Sequence, residues 1–233
     1  MKWAAVIVAA GRGLRFGRPK QFLDLAGTPM VGWSIRTFAA MPEIAELIVA
    51  TEAEAIRPMR VLLKKLAPSL GHRVVQGGEQ RQDSVRNALS ALSPETSAVL
   101  VHDGARPLVT VQGVRSGMRD VRAGRAALLA TPVVDTIKLV DLESRRVSET
   151  LDRRFLWAAQ TPQFATVQDL RNAHATALRD NFRATDDATL LERVHVEVLV
   201  VPSAEENFKV TLPEDAARAE AILQARIVAV NAG

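Results

Sequence analysis

Four cations, Arg12, Arg15, Arg18 and Lys20, are threaded among Gly11, Gly13 and Gly17 in the stretch VIVAAGRGLRFGRPKQF at residues 6–22. These residue types at this spacing suit one chemistry. Glycines let the backbone approach a ligand and expose its N–H groups, and arginine and lysine add charge against phosphate oxygens. A dinucleotide fingerprint is not present, because Gly17 falls one residue late for G-x-G-x-x-G. Neither is a P-loop, since no glycine pair here has the required spacing followed by lysine. The loop from Ala10 to Lys20 is longer and more cationic than either, which fits a triphosphate. The alternative is a surface loop of solvated cations.

Three further stretches carry candidate chemistry. VHDGARP at 101–107 places Asp103 at the end of an apolar run, as a carboxylate for a hard divalent cation. Magnesium commonly takes one or two carboxylates together with substrate phosphates and water. Arg106 on the same loop could bind another phosphate, whereas His102 reads as a packing or hydrogen-bonding residue. Asp103 could instead be a turn former in Asp-Gly. QGGEQRQDS at 76–84 could meet a base edge through backbone groups near Gly78 and through Ser84, although paired glycines before a helix also make an ordinary turn. NFKVTLPED at 207–215 puts Lys209 just before the last helix. TPQF at 161–164 and TDD at 185–187 read as loop-to-helix starts, with Thr185 as an N-cap.

The elements that must position these residues alternate. Strands are expected at 3–9, 46–50, 73–76, 98–103, 126–133 and 196–201. Several are continuous apolar runs, as in strands of a parallel α/β sheet buried on both faces. Helices fit between them at about 29–40, 53–67, 82–92, 110–122, 166–179, 186–193 and 213–228, the last opened by Pro213, Glu214 and Asp215. Residues 135–160 break the rhythm: TIKLV and RVSETL flank a polar turn and read as an inserted β-hairpin. A lone hairpin is marginal in water, so it must pack against something, such as a second copy of the chain, or extend the sheet edge.

Composition narrows the partners. Net charge is +4, but aromatics are 4%, tyrosine is absent and the arginines are scattered, which argues against nucleic acid and for a small polyanion. Cysteine is absent, which excludes disulfides and thiolate metal sites. No apolar run is long enough to span a bilayer and the first residues lack a signal-peptide layout, so a cytoplasmic protein with no membrane partner is expected.

Taken in order, AAGRGLRFGRPKQF, VHDGARP, PVVDTIK, LWAAQTPQF, ATDDATLLE and NFKVTLPED resemble the 2-C-methyl-D-erythritol 4-phosphate cytidylyltransferase family of the non-mevalonate isoprenoid pathway. Small departures are Gly104 where that family has alanine, and Glu79 and Gln80 in the GG segment. The resemblance implies one nucleotidyltransferase domain over 1–233, of the α/β class. Its core would be Rossmann-like with a mostly parallel sheet, and a β-arm at about 135–160 would reach into the active site of a homodimer partner. The implied reaction joins CTP and methylerythritol phosphate with Mg²⁺, giving CDP-methylerythritol and pyrophosphate. Arg15, Lys20 and Lys209 would stabilise the α-phosphate transition state, and Lys20 would also hold the triphosphate. Gly11 and Gly13 would line the CTP loop, Ala9, Ala10, Gly78 and Ser84 would frame cytosine, and Asp103 would hold Mg²⁺. Thr136 and Arg153 of the arm, with Arg106 nearby, would bind the acceptor phosphate. Rival readings are a ribitol 5-phosphate cytidylyltransferase, a nicotinamide-dependent oxidoreductase and a non-catalytic nucleotide-binding protein.

Overall fold

Apolar runs covered on both faces become the strands of the central sheet in the computed structural model, which describes residues 1–11 and 20–231. Gly13 and Arg15 lie outside the described residues. The chain runs through β1 (Trp3–Ala9), a two-residue ladder β2 (Asp24–Leu25) and β3 (Thr28–Pro29), α1 (Met30–Ala39), β4 (Ile44–Thr51), α2 (Ile56–Leu66) and β5 (Gly71–Gln76). It continues through α3 (Arg81–Ser90), β6 (Ala98–Asp103), α4 (Val111–Met118) and β7 (Arg125–Pro132). The hairpin β8 (Lys138–Val140) and β9 (Val147–Thr150) follows, then β10 (Trp157–Thr166), α5 (Val167–Arg179), α6 (Asp187–Arg193), β11 (Glu197–Pro202) and α7 (Pro213–Asn231).

Seven strands form the main sheet in the order β11-β7-β10-β6-β1-β4-β5. All neighbours pair in parallel except β10, which is antiparallel to both β6 and β7. From β1 the chain steps outward through β4 to β5, then crosses back to place β6 on the other side of β1. The carboxyl ends of β1 and β6 therefore flank a topological switch point, where open α/β sheets bind ligands.

Helices cover both faces. One core joins Ile7, Leu47 and Leu100 of the sheet to Val31, Ile35 and Phe38 of α1 and Leu63 of α2. The other joins Val6, Ile48 and Val101 to Val85 and Leu89 of α3, Leu170 of α5 and Leu191 of α6. A smaller cluster, with Leu25, Met30, Val210 and Ala219, pins α7 beside the cleft described below. Asp215 accepts the Thr211 and Leu212 N–H groups, both at 2.8 Å, closing the start of α7.

Two expectations need correction. Residues 157–160 belong to the main sheet rather than the arm, and TPQF is strand rather than a helix start: both lie in β10. The run TPQFAT is buried, and its Gln163 and Phe164 pair with both β6 and β7, so it is part of a central strand that its polar residues hide. Helix α6 is capped by Asp186, not Thr185: the Asp186 carboxylate accepts the Thr189 N–H at 3.0 Å. The hairpin itself forms as expected, with Lys138 opposite Thr150, and all its ladder residues are exposed.

Candidate active site

The ends of β1, β4, β5 and β6 open into a cleft of about 1100 Å³. Its floor follows from the sheet register. Gly104 N–H donates to Val8 O at 2.9 Å, so the β6 loop lies directly against the end of β1. A Cβ on Gly104 would come to 3.2 Å from Ile7 and from Val8 O, a tight contact that the alanine of the family meets with a small shift. On the other side Gly77 N–H donates to Thr51 O at 2.8 Å, and a Cβ there would collide with Ala10.

The sequence placed eight described residues in one site, and Ala9, Ala10, Gly11, Lys20, Gly78, Ser84, Asp103 and Lys209 all line this cleft. Asp103 is its electrostatic centre. Its Oδ2 accepts from Lys209 Nζ at 2.7 Å and its Oδ1 accepts from Arg81 Nε at 3.0 Å. Burial works to raise its pKa, but the two cations outweigh it and hold the carboxyl well below the usual range. Lys20 Nζ donates to Val210 O at 2.6 Å, which ties the end of the glycine loop to the segment carrying Lys209. Val210 N–H donates in turn to Ala105 O at 2.8 Å. Arg81 and Lys209 thus converge on one carboxylate, with Lys20 tied to the segment that carries Lys209.

Arg81 and Asp187 are the residues sequence reasoning missed. Arg81 Nη1 donates to Asp187 Oδ2 at 2.8 Å, and Asp187 Oδ1 lies 3.3 Å from His174 Nε2. Asp187 and His174 are buried. Burial disfavours the Arg81 charge, yet Asp187 and Asp103 together hold its pKa above the ordinary arginine value. Nothing local signalled this pairing: Arg81 is the first residue of α3, whose first turn already carries Asp83, and its partners lie far away in the sequence.

The motif TPQF braces this network from β10. Thr161 Oγ1 accepts the Asp103 N–H at 3.0 Å and lies 3.1 Å from His102 Nδ1. Gln163 Oε1 accepts the N–H groups of Asp187 and Ala188, both at 2.9 Å. Asn207 Nδ2 donates to Thr161 O and Gln160 Oε1, both at 2.9 Å, and so fixes the approach to Lys209. His102 is a packing residue, as expected: it stacks edge-on to Phe38 and has Ser34 Oγ and Arg106 O within 3.1 Å of Nε2. Burial pushes its pKa down to about 4, so the ring is neutral at working pH.

Other expected residues fall elsewhere or are engaged. Ser84 Oγ donates to Gln80 O at 3.1 Å and accepts the Gly78 N–H at 3.0 Å, so it holds the GG turn in shape. Arg106 lies outside the cleft lining, and its Nη1 donates to Asn207 O at 2.7 Å. Thr136 and Arg153 are exposed on the arm and do not line the cleft of their own chain; Arg153 Nη1 donates to Val134 O.

A magnesium ion fits here in the single-carboxylate mode. Among the described residues no group of three or more histidine or acidic side chains could cage a metal. Asp103 is ionised, and each of its oxygens has accepted one hydrogen bond and keeps lone-pair capacity for a cation whose other ligands are phosphates and water.

A protein-family model described as 2-C-methyl-D-erythritol 4-phosphate cytidylyltransferase matches residues 3–225. A protein of that name from Pelotomaculum thermopropionicum is 41% identical over 228 residues, covering 97% of this chain and 95% of the relative. Among solved structures, a 4-diphosphocytidyl-2C-methyl-D-erythritol synthase from Anaerococcus prevotii superposes with a TM-score of 0.84 at 29% identity, covering 95% of this chain and 98% of the other. The 2-C-methyl-D-erythritol 4-phosphate cytidylyltransferase from Thermus thermophilus superposes with a TM-score of 0.79 at 33% identity, covering 96% and 100%.

Proposed function

Because this chain belongs to the 2-C-methyl-D-erythritol 4-phosphate cytidylyltransferase family, we propose that its cleft joins CTP to 2-C-methyl-D-erythritol 4-phosphate, giving CDP-methylerythritol and pyrophosphate for isoprenoid synthesis. The observation that carries this reading is the convergence of Lys20, Lys209 and Arg81 around Asp103 at the switch point of the sheet.

An acceptor phosphate oxygen bonds to the α-phosphorus of CTP. The bond from that phosphorus to the bridging oxygen breaks, and its electron pair leaves with pyrophosphate. The nucleophile is already ionised at neutral pH, so no general base is needed. The task is to hold two anions together and stabilise the charge that develops, which is positioning and electrostatics. Lys209, aimed by Asp103, and Lys20, held beside it through Val210, stabilise the α-phosphate. The family resemblance assigns Arg15 to the same role and Gly11 and Gly13 to the triphosphate; of these three, only Gly11 is among the described residues and lines the cleft. Bound at Asp103, Mg²⁺ would neutralise phosphate charge. Ala9, Ala10, Gly78 and Ser84 frame the cytosine, Ser84 by fixing the turn.

Arm exchange completes the site. Thr136 and Arg153 lie on a projecting hairpin away from their own cleft. Leu142 and Phe155 there are 89% and 80% exposed, which suits an arm covered by a second copy. In that homodimer, Thr136 and Arg153 meet the acceptor phosphate in the partner's cleft, with Arg106 bracing the loop beneath. The reading is of a cytoplasmic enzyme; among the described residues no helix is long and apolar enough to cross a membrane.

The test is pyrophosphate release from CTP and Mg²⁺ with each acceptor. Turnover with methylerythritol phosphate is expected. A higher kcat/KM with ribitol 5-phosphate overturns the acceptor assignment, and no pyrophosphate with either overturns the reading.

A further inference from the structure

We infer that Asp187, which does not line the cleft, is a positioning residue that keeps Asp103 free to take magnesium by holding Arg81 between two carboxylates. The inference rests on the proposed function and on Asp103 as the residue that holds the metal.

Lys209, Asp103, Arg81, Asp187 and His174 form one chain of contacts. The Arg81 guanidinium is divided within it. Its Nε donates to Asp103 at 3.0 Å and its Nη1 to Asp187 at 2.8 Å. Asp187 is fixed in place. Its side chain is buried, its backbone N–H donates to Gln163 Oε1 at 2.9 Å, and its other oxygen faces His174. Burial works to raise its pKa, but Arg81 and then His174 outweigh it and hold the carboxyl below the usual range, so Asp187 carries its charge.

A count of charges shows what it contributes. Lys209 and Arg81 bring two positive charges to the one negative charge of Asp103. Arg106 lies near enough to feel the charges of both Asp103 and Arg81. A carboxylate outweighed in this way attracts a further cation poorly. Asp187 adds the missing negative charge, and Lys209, Asp103, Arg81 and Asp187 then sum to zero. It also holds one arm of the guanidinium away from Asp103. Arg81 Nη2 is buried without a partner, so the fork is aimed by its two carboxylates alone. Without a charge at Asp187 the fork turns wholly to Asp103, and a two-point arginine–carboxylate pair leaves less of the carboxylate for a metal.

The test is calorimetry of CTP binding without acceptor, in EDTA and in saturating Mg²⁺, for wild type, Asp187→Asn and Arg81→Met/Asp187→Leu. The ratio of the two Kd values reports the coupling of metal to nucleotide, and a general loss of CTP affinity cancels from it. Asp187→Asn keeps the shape of the side chain and removes its charge. It should lower the ratio about 10-fold. The double variant also removes Arg81 and should return the ratio to the wild-type value or above. An unshifted ratio in Asp187→Asn overturns the inference, and so does a double variant whose ratio falls below wild type. The double variant decides alone if Asp187→Asn does not fold. Wild type that binds CTP equally with and without Mg²⁺ overturns the inference together with the metal assignment. Wild type that binds no CTP overturns the function itself, which separates the failures.

Discussion

Replacing Arg81 by methionine tests the network beneath the site. The guanidinium bridges Asp103 and Asp187, whose side chains are 11% and 2% exposed. Arg81→Met leaves Asp103 paired with Lys209, but it leaves Asp187 buried with only His174 facing its carboxylate. Breaking one side of a buried ion pair destabilises by about 3–5 kcal/mol, because a charge remains without compensation. For a chain of this size that lowers Tm by about 10 °C. Urea denaturation followed by tryptophan fluorescence measures it. The double variant Arg81→Met/Asp187→Leu removes both charges, and apolar replacement of a whole buried pair is often close to neutral. It should recover about half the loss, the remainder reflecting His174 Nε2 left without an acceptor. Turnover should stay low in the double variant, because Asp103 keeps its pairing with Lys209 but loses the Arg81 contact that holds its other oxygen in place. A single variant within about 1 kcal/mol of wild type, or a double variant no more stable than the single, refutes the electrostatic account. Recovery of both stability and full turnover refutes a role for Arg81 in the site.

Lys209→Ala should cut turnover about 30- to 1000-fold at saturating CTP with little change in Tm, since its side chain is 42% exposed and its proposed role is at the transition state; near-normal turnover removes it from catalysis. Arg153→Ala and Lys20→Ala should each be nearly inactive, and mixing them under subunit exchange should restore some activity through heterodimers with one intact site; exchange without recovery means the arm serves its own chain. Between about pH 6.5 and about 4 stability should fall with pH, because burial first of all keeps the folded His102 ring neutral down to about 4 while the unfolded ring protonates below 6.5. The folded pKa is the lower one, so the unfolded chain binds the extra proton and the loss approaches about 3 kcal/mol; urea titrations at pH 7.5 and 4.5 should show His102→Gln losing this part of the slope, and equal slopes contradict it. Gly117→Ala should destabilise by about 1–3 kcal/mol despite the better helix propensity, because its Cβ would collide with the buried ring of Phe164; an unchanged Tm shows the ring can move aside.

Much of this protein follows from local pattern. Continuous apolar runs such as AAVIVA and AVLV can be buried only on both faces, so a parallel sheet under two helix layers was readable before any contact was known. Strand ends could be read too, and with them the glycine loop after β1 and Asp103 at the end of β6, because α/β sheets place ligands at the carboxyl ends of strands; Ala9, Ala10, Gly78, Ser84 and Lys209 were assigned to the site only through the family resemblance. The polar turn and exposed ladders of the arm were equally local. Tertiary structure alone decided what joins these pieces. TPQF is a central strand because it lies between β6 and β7, which its own polar residues do not reveal. Thr161 and Gln163 in it serve backbone groups of Asp103 and Asp187, across separations of 58 and 24 residues. Arg81 meets Asp187 across 106 residues, and Lys209 meets Asp103 across 106. Periodicity reports which face of an element is apolar. It carries no information about which charge on one loop will meet which charge on another, since that depends on strand order, and strand order is fixed only when both cores close.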